Sequence, residues 1–303
     1  MKFIKTFENL TKNDVVIAGG KGASLGEMTQ AGISVPPGFV LLADAFENFL
    51  EETKIDSEIK IILDKINTKN FVSIEQASQQ IISLISDSKL PKDIAKEVEE
   101  EFVKLNTKYI AVRSSATAED SLTTSWAGEL ETYLNTTKEN LSRNINRCWS
   151  SLFTTRAIFY RFEKKLHNTK VSVAVVIQKM IAAEVSGIVF TVNPMTKNEK
   201  QMVIEAGWGL GELIVGGQIT PDNYVVDKIK NTIINIDVSK QIKKLVNENG
   251  QTKETPVAKE EQDKQKLSNE QIIELTKICQ KIENHFQKPQ DIEWALKNNK
   301  FYI

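Results

Sequence analysis

Cysteine is almost missing from this chain of 303 residues: Cys148 and Cys279 are its two, and they form no C-x-x-C or other metal-ligand spacing. That excludes a zinc ribbon or a disulfide framework and fits a reducing compartment, the cytoplasm being the expected one. No apolar run approaches the roughly 18 residues of a membrane span, and the opening Met1 to Phe7 lacks the apolar core of a secretory leader. A net charge is missing as well. The 39 basic and 40 acidic residues nearly cancel, so nothing points to a nucleic-acid or membrane partner. No internal repeat is visible.

What is there is an ordinary globular composition, 41% hydrophobic and 26% charged, in a chain longer than one average domain. The stretch after Lys21 reads as helices. Pro91 opens one of them, and Ile94, Val98, Phe102 and Leu105 follow on one stripe. From Tyr109 short β-like runs surround Arg113. One long helix is expected over roughly 139–165, with Leu141, Ile145, Trp149 and Leu152 inward and Arg143, Arg147, Arg156 and Arg161 on its solvated side. Beyond Lys170 the runs Val171–Met180, Val185–Val192, Gln201–Glu205 and Tyr224–Asp227 are rich in β-branched residues. Residues 239–266 are crowded with Lys, Glu, Gln and Asn and read as an exposed excursion or flexible loop. Ser268 and Gln271 form a capping box for a following helix, and a hairpin-like pair, 291–296 with 301–303, closes the chain. The expectation is an α+β protein with an N-terminal lobe, 1–170, and a more β-rich C-terminal lobe, 171–303.

Three places could carry chemistry. In Ala111-Val-Arg-Ser-Ser-Ala-Thr-Ala-Glu-Asp120 an apolar run leads into Arg113 and then a loop of small hydroxyl residues. Arg113 offers a fork of donors to phosphate oxygens, while Ser114, Ser115 and Thr117 offer hydroxyls and close backbone approach. Taken alone, such a loop is equally a solvated connection. Lys21 follows Gly19-Gly20 and precedes a helix start, but Gly22 stands where a Walker A motif needs Ser or Thr. In Asp291-Ile-Glu-Trp-Ala-Leu296, strand periodicity puts Asp291 and Glu293 on one face and Ile292, Trp294 and Leu296 on the other. Two carboxylates so arranged suit a hard cation such as Mg²⁺, or simply a wet strand face. Gly207-Trp-Gly-Leu-Gly211 is not a Rossmann fingerprint, and Glu205 and Glu212 flank it without an assigned role.

These segments together resemble the nucleotide-binding domain of phosphoenolpyruvate synthases and pyruvate phosphate dikinases, with rifampicin phosphotransferases as relatives. The matching blocks are Gly19-Gly-Lys-Gly-Ala-Ser-Leu-Gly-Glu-Met28 with Val35-Pro-Pro-Gly-Phe39, the Arg113 run with Ser125-Trp-Ala-Gly and Glu131-Thr-Tyr-Leu-Asn135, Gly207–Glu212, and Asp291-Ile-Glu-Trp-Ala295. They occur in order over almost the whole chain. The resemblance implies an ATP-grasp-like, two-lobed fold with the nucleotide in a cleft between the lobes. It implies that Lys21 and Arg113 neutralise the transferring phosphoryl group, that Gly128 and Thr132 lie at the phosphates, that Gln178-Lys-Met-Ile181 lines the adenine pocket, and that Glu293 holds nucleotide or Mg²⁺, with Asp291 beside it. Trp126 and Glu129 stand where the synthases often carry Phe and Gln.

The family passes phosphate from ATP to a histidine on a swivelling domain and thence to a third site. Here His167 and His285 sit outside any Ser-His-Ala-like carrier motif, so the resemblance implies that the phosphohistidine domain and the pyruvate-binding domain are separate partners. The family's Gln-x-Arg nucleotide contacts would follow Ile303, and ATP binding without them is expected to be weaker. The implied function is therefore the ATP-binding part of a dikinase-type phosphotransferase. A rifampicin phosphotransferase-type domain, or a nucleotide-binding module without turnover, is the alternative.

Overall fold

The shift from 3.6-residue stripes to β-branched runs along the chain becomes, in the computed structural model, two units of different make-up. The structure describes residues 2–117, 120–121, 124–125, 131–164 and 172–303. Gly128, Trp126, Glu129 and His167 lie outside the described residues. The chain divides into one unit of 1–30 with 37–180 and another of 31–36 with 181–303.

In the first unit the strands are β1 (Ile4–Thr6), β2 (Gly38–Leu41), β3 (Ile110–Ala116), β4 (Asp120–Ser121), β5 (Thr124–Ser125), β6 (Thr132–Thr136) and β7 (Val173–Lys179). The helices are α1 (Val15–Gln30), α2 (Ala43–Thr53), α3 (Asp56–Asp64), α4 (Phe71–Asp87), α5 (Lys92–Lys104), α6 (Lys138–Ser150) and α7 (Thr155–Glu163). A sheet of order β1-β2-β7-β3-β6 has its neighbours antiparallel, and β4 pairs with β5. One face of the large sheet is apolar. Its row Phe39–Ile177–Val112–Tyr133 is continued by Phe46, Phe49, Ile81, Ile145 and Trp149 from the helices in one core cluster.

Several expectations are corrected here. Arg113, Ser114 and Ser115 belong to strand β3 rather than to a loop. The single helix expected over 139–165 is broken: a 3₁₀ turn, Ser151–Phe153, follows α6, and extended Thr154 caps α7 by accepting from the Ala157 amide. Arg161 does not lie on a solvated side. It is buried with its guanidinium against the Phe153 ring, and burial lowers its pKa. Strand β7 sits between β2 and β3 in the first sheet, so it belongs to the first unit.

The second unit holds β8 (Val185–Phe190), β9 (Gln201–Trp208), α8 (Glu212–Val215), β10 (Asp222–Asp227), β11 (Thr232–Asp237), β12 (Lys243–Glu248), β13 (Gln251–Pro256), α9 (Asn269–Phe286), β14 (Asp291–Lys297) and β15 (Lys300–Tyr302). An antiparallel sheet runs β11-β10-β9-β8-β14-β15. Its buried row Tyr224–Ile204–Val189–Ile292 crosses four strands. The Ser268/Gln271 capping box opens α9 as expected. The segment 31–36 joins this unit through hydrogen bonds from the Ile303 amide to Ser34 O (3.0 Å) and from Lys281 Nζ to Ala31 O (2.8 Å).

Of the two expectations for 239–266, the exposed excursion holds and the flexible loop does not. The excursion forms the β12–β13 hairpin, turned by Asn249 and Gly250, both at positive φ as a tight hairpin turn requires. A buried ion pair anchors it: Lys266 Nζ lies 2.9 Å from Asp222 Oδ1, the two side chains being 1% and 0% exposed. The Asp222 carboxylate also accepts from the Ser239 amide (3.0 Å), the Lys266 amide (2.9 Å) and Tyr224 Oη (2.7 Å). Such a charge is tolerated inside only because every lone pair finds a donor.

Candidate functional site

Across the first sheet the row next to the apolar one reads Val40–Val176–Arg113–Thr132. Alternation turns this row to the opposite face. Gln178 stands opposite both Gly38 and Ala111, so it shares that face too. Arg113 and Thr132 are direct cross-strand neighbours, with Cα atoms about 5 Å apart in such a pair. Arg113 is half-buried, Thr132 exposed and Gln178 buried.

Lys21 reaches the same face through α1. The helix breaks at Gly19, whose φ of 69° and ψ of 170° belong to a region essentially reserved for glycine. The break lets the backbone press onto β3: a Cβ at Gly19 would lie 2.2 Å from Ser115 Oγ and 2.3 Å from Ser115 O. Lys21 follows on the first turn after the break, half-buried. Ser115 Oγ fastens the two motifs, donating to Ala18 O (2.9 Å) and accepting from the Gly22 amide (3.2 Å).

The hydroxyls expected at a phosphate therefore serve the protein. Besides Ser115, Ser114 Oγ donates to Glu131 O (3.0 Å) and Thr117 Oγ1 to Ser172 O (3.0 Å). Buried hydroxyls in a strand must find partners, and neighbouring carbonyls supply them. The segment expected to line the adenine pocket shows similar commitments: the Lys179 amide donates to Pro37 O and the Met180 amide to Tyr109 O.

In the second unit Asp291 and Glu293 are exposed on one face of β14, while Ile292, Trp294 and Leu296 are buried on the other. Sequence reasoning left Glu205 without a role, and the sheet gives it a neighbour. The row Asn223–Glu205–Ile188–Glu293 runs across β10, β9, β8 and β14. Two strand spacings put Glu205 and Glu293 about 10 Å apart at Cα. Burial raises the pKa of Glu205, and likewise of Glu212. Among the described residues no group of three or more His, Cys, Asp or Glu is gathered as a metal cluster.

The Gly207–Gly211 run is held by its own surroundings. Gln241 accepts from the Trp208 amide (2.8 Å) and donates to its carbonyl (3.1 Å), Leu210 N donates to Leu245 O (2.9 Å), and Ser186 Oγ donates to Gly209 O (2.7 Å). Gly209, at φ 85°, lies where a Cβ would meet Leu245 O at 2.3 Å. These groups make a docking point for the β12 hairpin.

A family model described as the pyruvate phosphate dikinase AMP/ATP-binding domain matches residues 15–303. Among curated proteins, the "Probable phosphoenolpyruvate synthase" of Methanocaldococcus jannaschii is 43% identical over 311 residues, covering 100% of this chain and 26% of that protein. The "Phosphoenolpyruvate synthase" of Pyrococcus furiosus is 40% identical over 353 residues, covering 100% and 43% respectively. The "Probable phosphoenolpyruvate synthase" of Archaeoglobus fulgidus is 41% identical over 301 residues, covering 97% and 40%. The chain spans less than half the length of these relatives.

Proposed function

Because this chain belongs to the pyruvate phosphate dikinase AMP/ATP-binding domain family, we propose that it is the ATP-binding part of a phosphoenolpyruvate synthase-like phosphotransferase, passing phosphate from ATP to a histidine on a separate domain or chain. The observation that carries this reading is the cross-strand pair of Arg113 and Thr132 on the sheet face against which α1 presents Lys21. A guanidinium fork, an ammonium and a hydroxyl on one face supply phosphate oxygens with charge-assisted and neutral donors.

Lys21 and Arg113 balance the charge of the transferring phosphoryl group, and the Thr132 hydroxyl donates to a phosphate oxygen. By the family resemblance Gly128 would lie at the phosphates as well. Gln178 and the residues after it border the base. Catalysis is then positioning and electrostatics rather than attack by a protein nucleophile. The acceptor histidine, the pyruvate-binding part and the final acceptor belong to the remainder of the enzyme.

The acidic face of β14 fits Mg²⁺. Its donors are all carboxylate oxygens, and Mg²⁺ in nucleotide sites is bound through one or two carboxylates with phosphates completing the shell. Glu293 and Asp291 would hold it, with Glu205 in the same cross-strand row as Glu293. When bound, it would supply positive charge that offsets the charge of the phosphate oxygens.

Calorimetry with ATP and Mg²⁺ tests the reading. Binding is expected, and Arg113→Ala should weaken it at least tenfold, while Arg143→Ala, on the exposed side of α6, leaves it unchanged. No heat at millimolar nucleotide, or equal losses for the two variants, would refute it. A separately supplied histidine domain should become phosphorylated from labelled ATP. Binding without transfer would instead identify a nucleotide-sensing module.

A further inference from the structure

The register of β6 changes partway along its pairing with β3. Ile110 faces Thr136 and Val112 faces Tyr133, so Ala111 alone lies across from the two residues Leu134 and Asn135. This is a β-bulge, and Asn135 adopts a φ of 54°, a left-handed conformation that Asn tolerates better than most residues. Its amide is capped by Met180 Sδ at 3.3 Å.

The extra residue changes which side chains share a face. Tyr133 and Thr136 are three apart, and a regular strand would turn them to opposite sides. Here both stand opposite apolar-face residues of β3, Val112 and Ile110. Helix α6 grips both. Asn144 Nδ2 donates to Thr136 Oγ1 (2.7 Å), Thr136 Oγ1 donates to Tyr133 O (3.1 Å), and the Arg147 guanidinium lies 4.0 Å from the centre of the Tyr133 ring. Arg147 also reaches Asn144 Oδ1 at 3.4 Å, an i,i+3 pair on one face of the helix. With Tyr133 held toward α6, Thr132 must point the other way, beside Arg113. If the bulge were ironed out while Thr136 stayed opposite Ile110, Tyr133 would face Arg113 and Thr132 would turn to the helix side.

We propose that the β6 bulge, clamped by Asn144 and Arg147 of α6, is a positioning device that delivers the Thr132 hydroxyl to the phosphate-binding face. This inference rests on the reading of Arg113 and Thr132 as phosphate ligands. Asn144 and Arg147 lie on the opposite side of β6 from Thr132 and act through Tyr133 and Thr136.

A double-mutant cycle on the full chain, read by calorimetry with ATP and Mg²⁺, tests it. Thr132→Val should weaken ATP about tenfold, the size expected for a hydrogen bond to a charged group. Asn144→Leu and Arg147→Leu should each weaken it about threefold or more, and neither should weaken it further in a Thr132→Val background. Asn135→Gly, which suits positive φ, should retain affinity where Asn135→Val loses it. Arg147 is exposed, so its variant remains a fair test even if Asn144→Leu fails to fold. Losses from the clamp variants that persist in the Thr132→Val background would overturn the inference, marking a general structural role. So would a Thr132→Val loss that neither clamp variant reproduces. If Thr132→Val has no effect, the reading beneath it falls and the inference with it.

Discussion

Replacing Gly19 by Ala tests whether α1 must break against β3 for the nucleotide motifs to assemble. Two costs arise. The backbone at φ 69° and ψ 170° lies in a region that charges a non-glycine residue about 1–3 kcal/mol. The new Cβ would also sit 2.2 Å from Ser115 Oγ and 2.3 Å from Ser115 O, and backbone cannot swing aside as a side-chain tip can. Overlap of that kind in a packed interior costs about 1–3 kcal/mol more. The sum is about 4 kcal/mol, or a fall of about 8–16 °C in the transition of a unit this size. Gly217→Ala is the control. Gly217 also has positive φ, 62°, but a Cβ there would meet nothing within 4 Å, so only the conformational cost remains, about 1 kcal/mol. Calorimetric unfolding, each variant read on the unit that carries it, gives both values. ATP titration should then show Gly19→Ala weakened and Gly217→Ala unchanged, since Lys21 follows the break. Equal destabilisation of the two variants, or a Gly19→Ala protein with full ATP affinity, would refute the argument that contact with Ser115 sets this backbone.

Lys266→Met should destabilise the second unit by about 3 kcal/mol, the lower end for orphaning a buried charge, because Asp222 keeps its amide and phenol donors. Adding Asp222→Asn should recover part of that loss, and urea unfolding no different from that of exposed Lys264→Met would count against the pair. Glu205→Gln probes the acidic face through pH. Burial holds the Glu205 pKa above its ordinary value, so the native state is favoured below the unfolded pKa and loses that favour as pH rises through the folded one. The Gln variant should melt higher than wild type near pH 7, lose the advantage below about pH 4, and bind Mg²⁺ and ATP more weakly. An advantage independent of pH would remove the carboxylate from the explanation.

The elements most legible in the sequence were those with local signals. Ser268 and Gln271 announced α9, and alternation in Asp291–Leu296 sorted β14 correctly into wet and buried faces. Helix α5 followed its stripe of Ile94, Val98 and Phe102. The β3 residues Arg113-Ser-Ser had the composition of a turn, yet α1 covers one face and the helical core the other, and neighbouring carbonyls satisfy the serines. The 239–266 excursion lacked alternation because its hairpin is largely exposed, although Asn249-Gly250 between two short runs was a readable turn signal. Arg161 looked solvated because helical periodicity was carried across Thr154, where the chain restarts its phase. The rows that bring Thr132 to Arg113, and Glu205 toward Glu293, depend on strand order and on a bulge. Both are set by distant partners rather than by local spacing.

The six residues from Ala31 to Pro36 carry a consequence for anyone cutting this molecule. A break after Met180 would not yield the second unit whole, for the fragment 181–303 leaves the Ile303 amide and the Lys281 ammonium without the carbonyls of Ser34 and Ala31. Nor is the first unit one continuous stretch of gene, since its residues 1–30 and 37–180 flank the borrowed piece. Recombination at the obvious boundary would therefore leave the first unit all of its residues and strip the second of the six that complete it, so the second unit is inherited intact only with 31–36 attached.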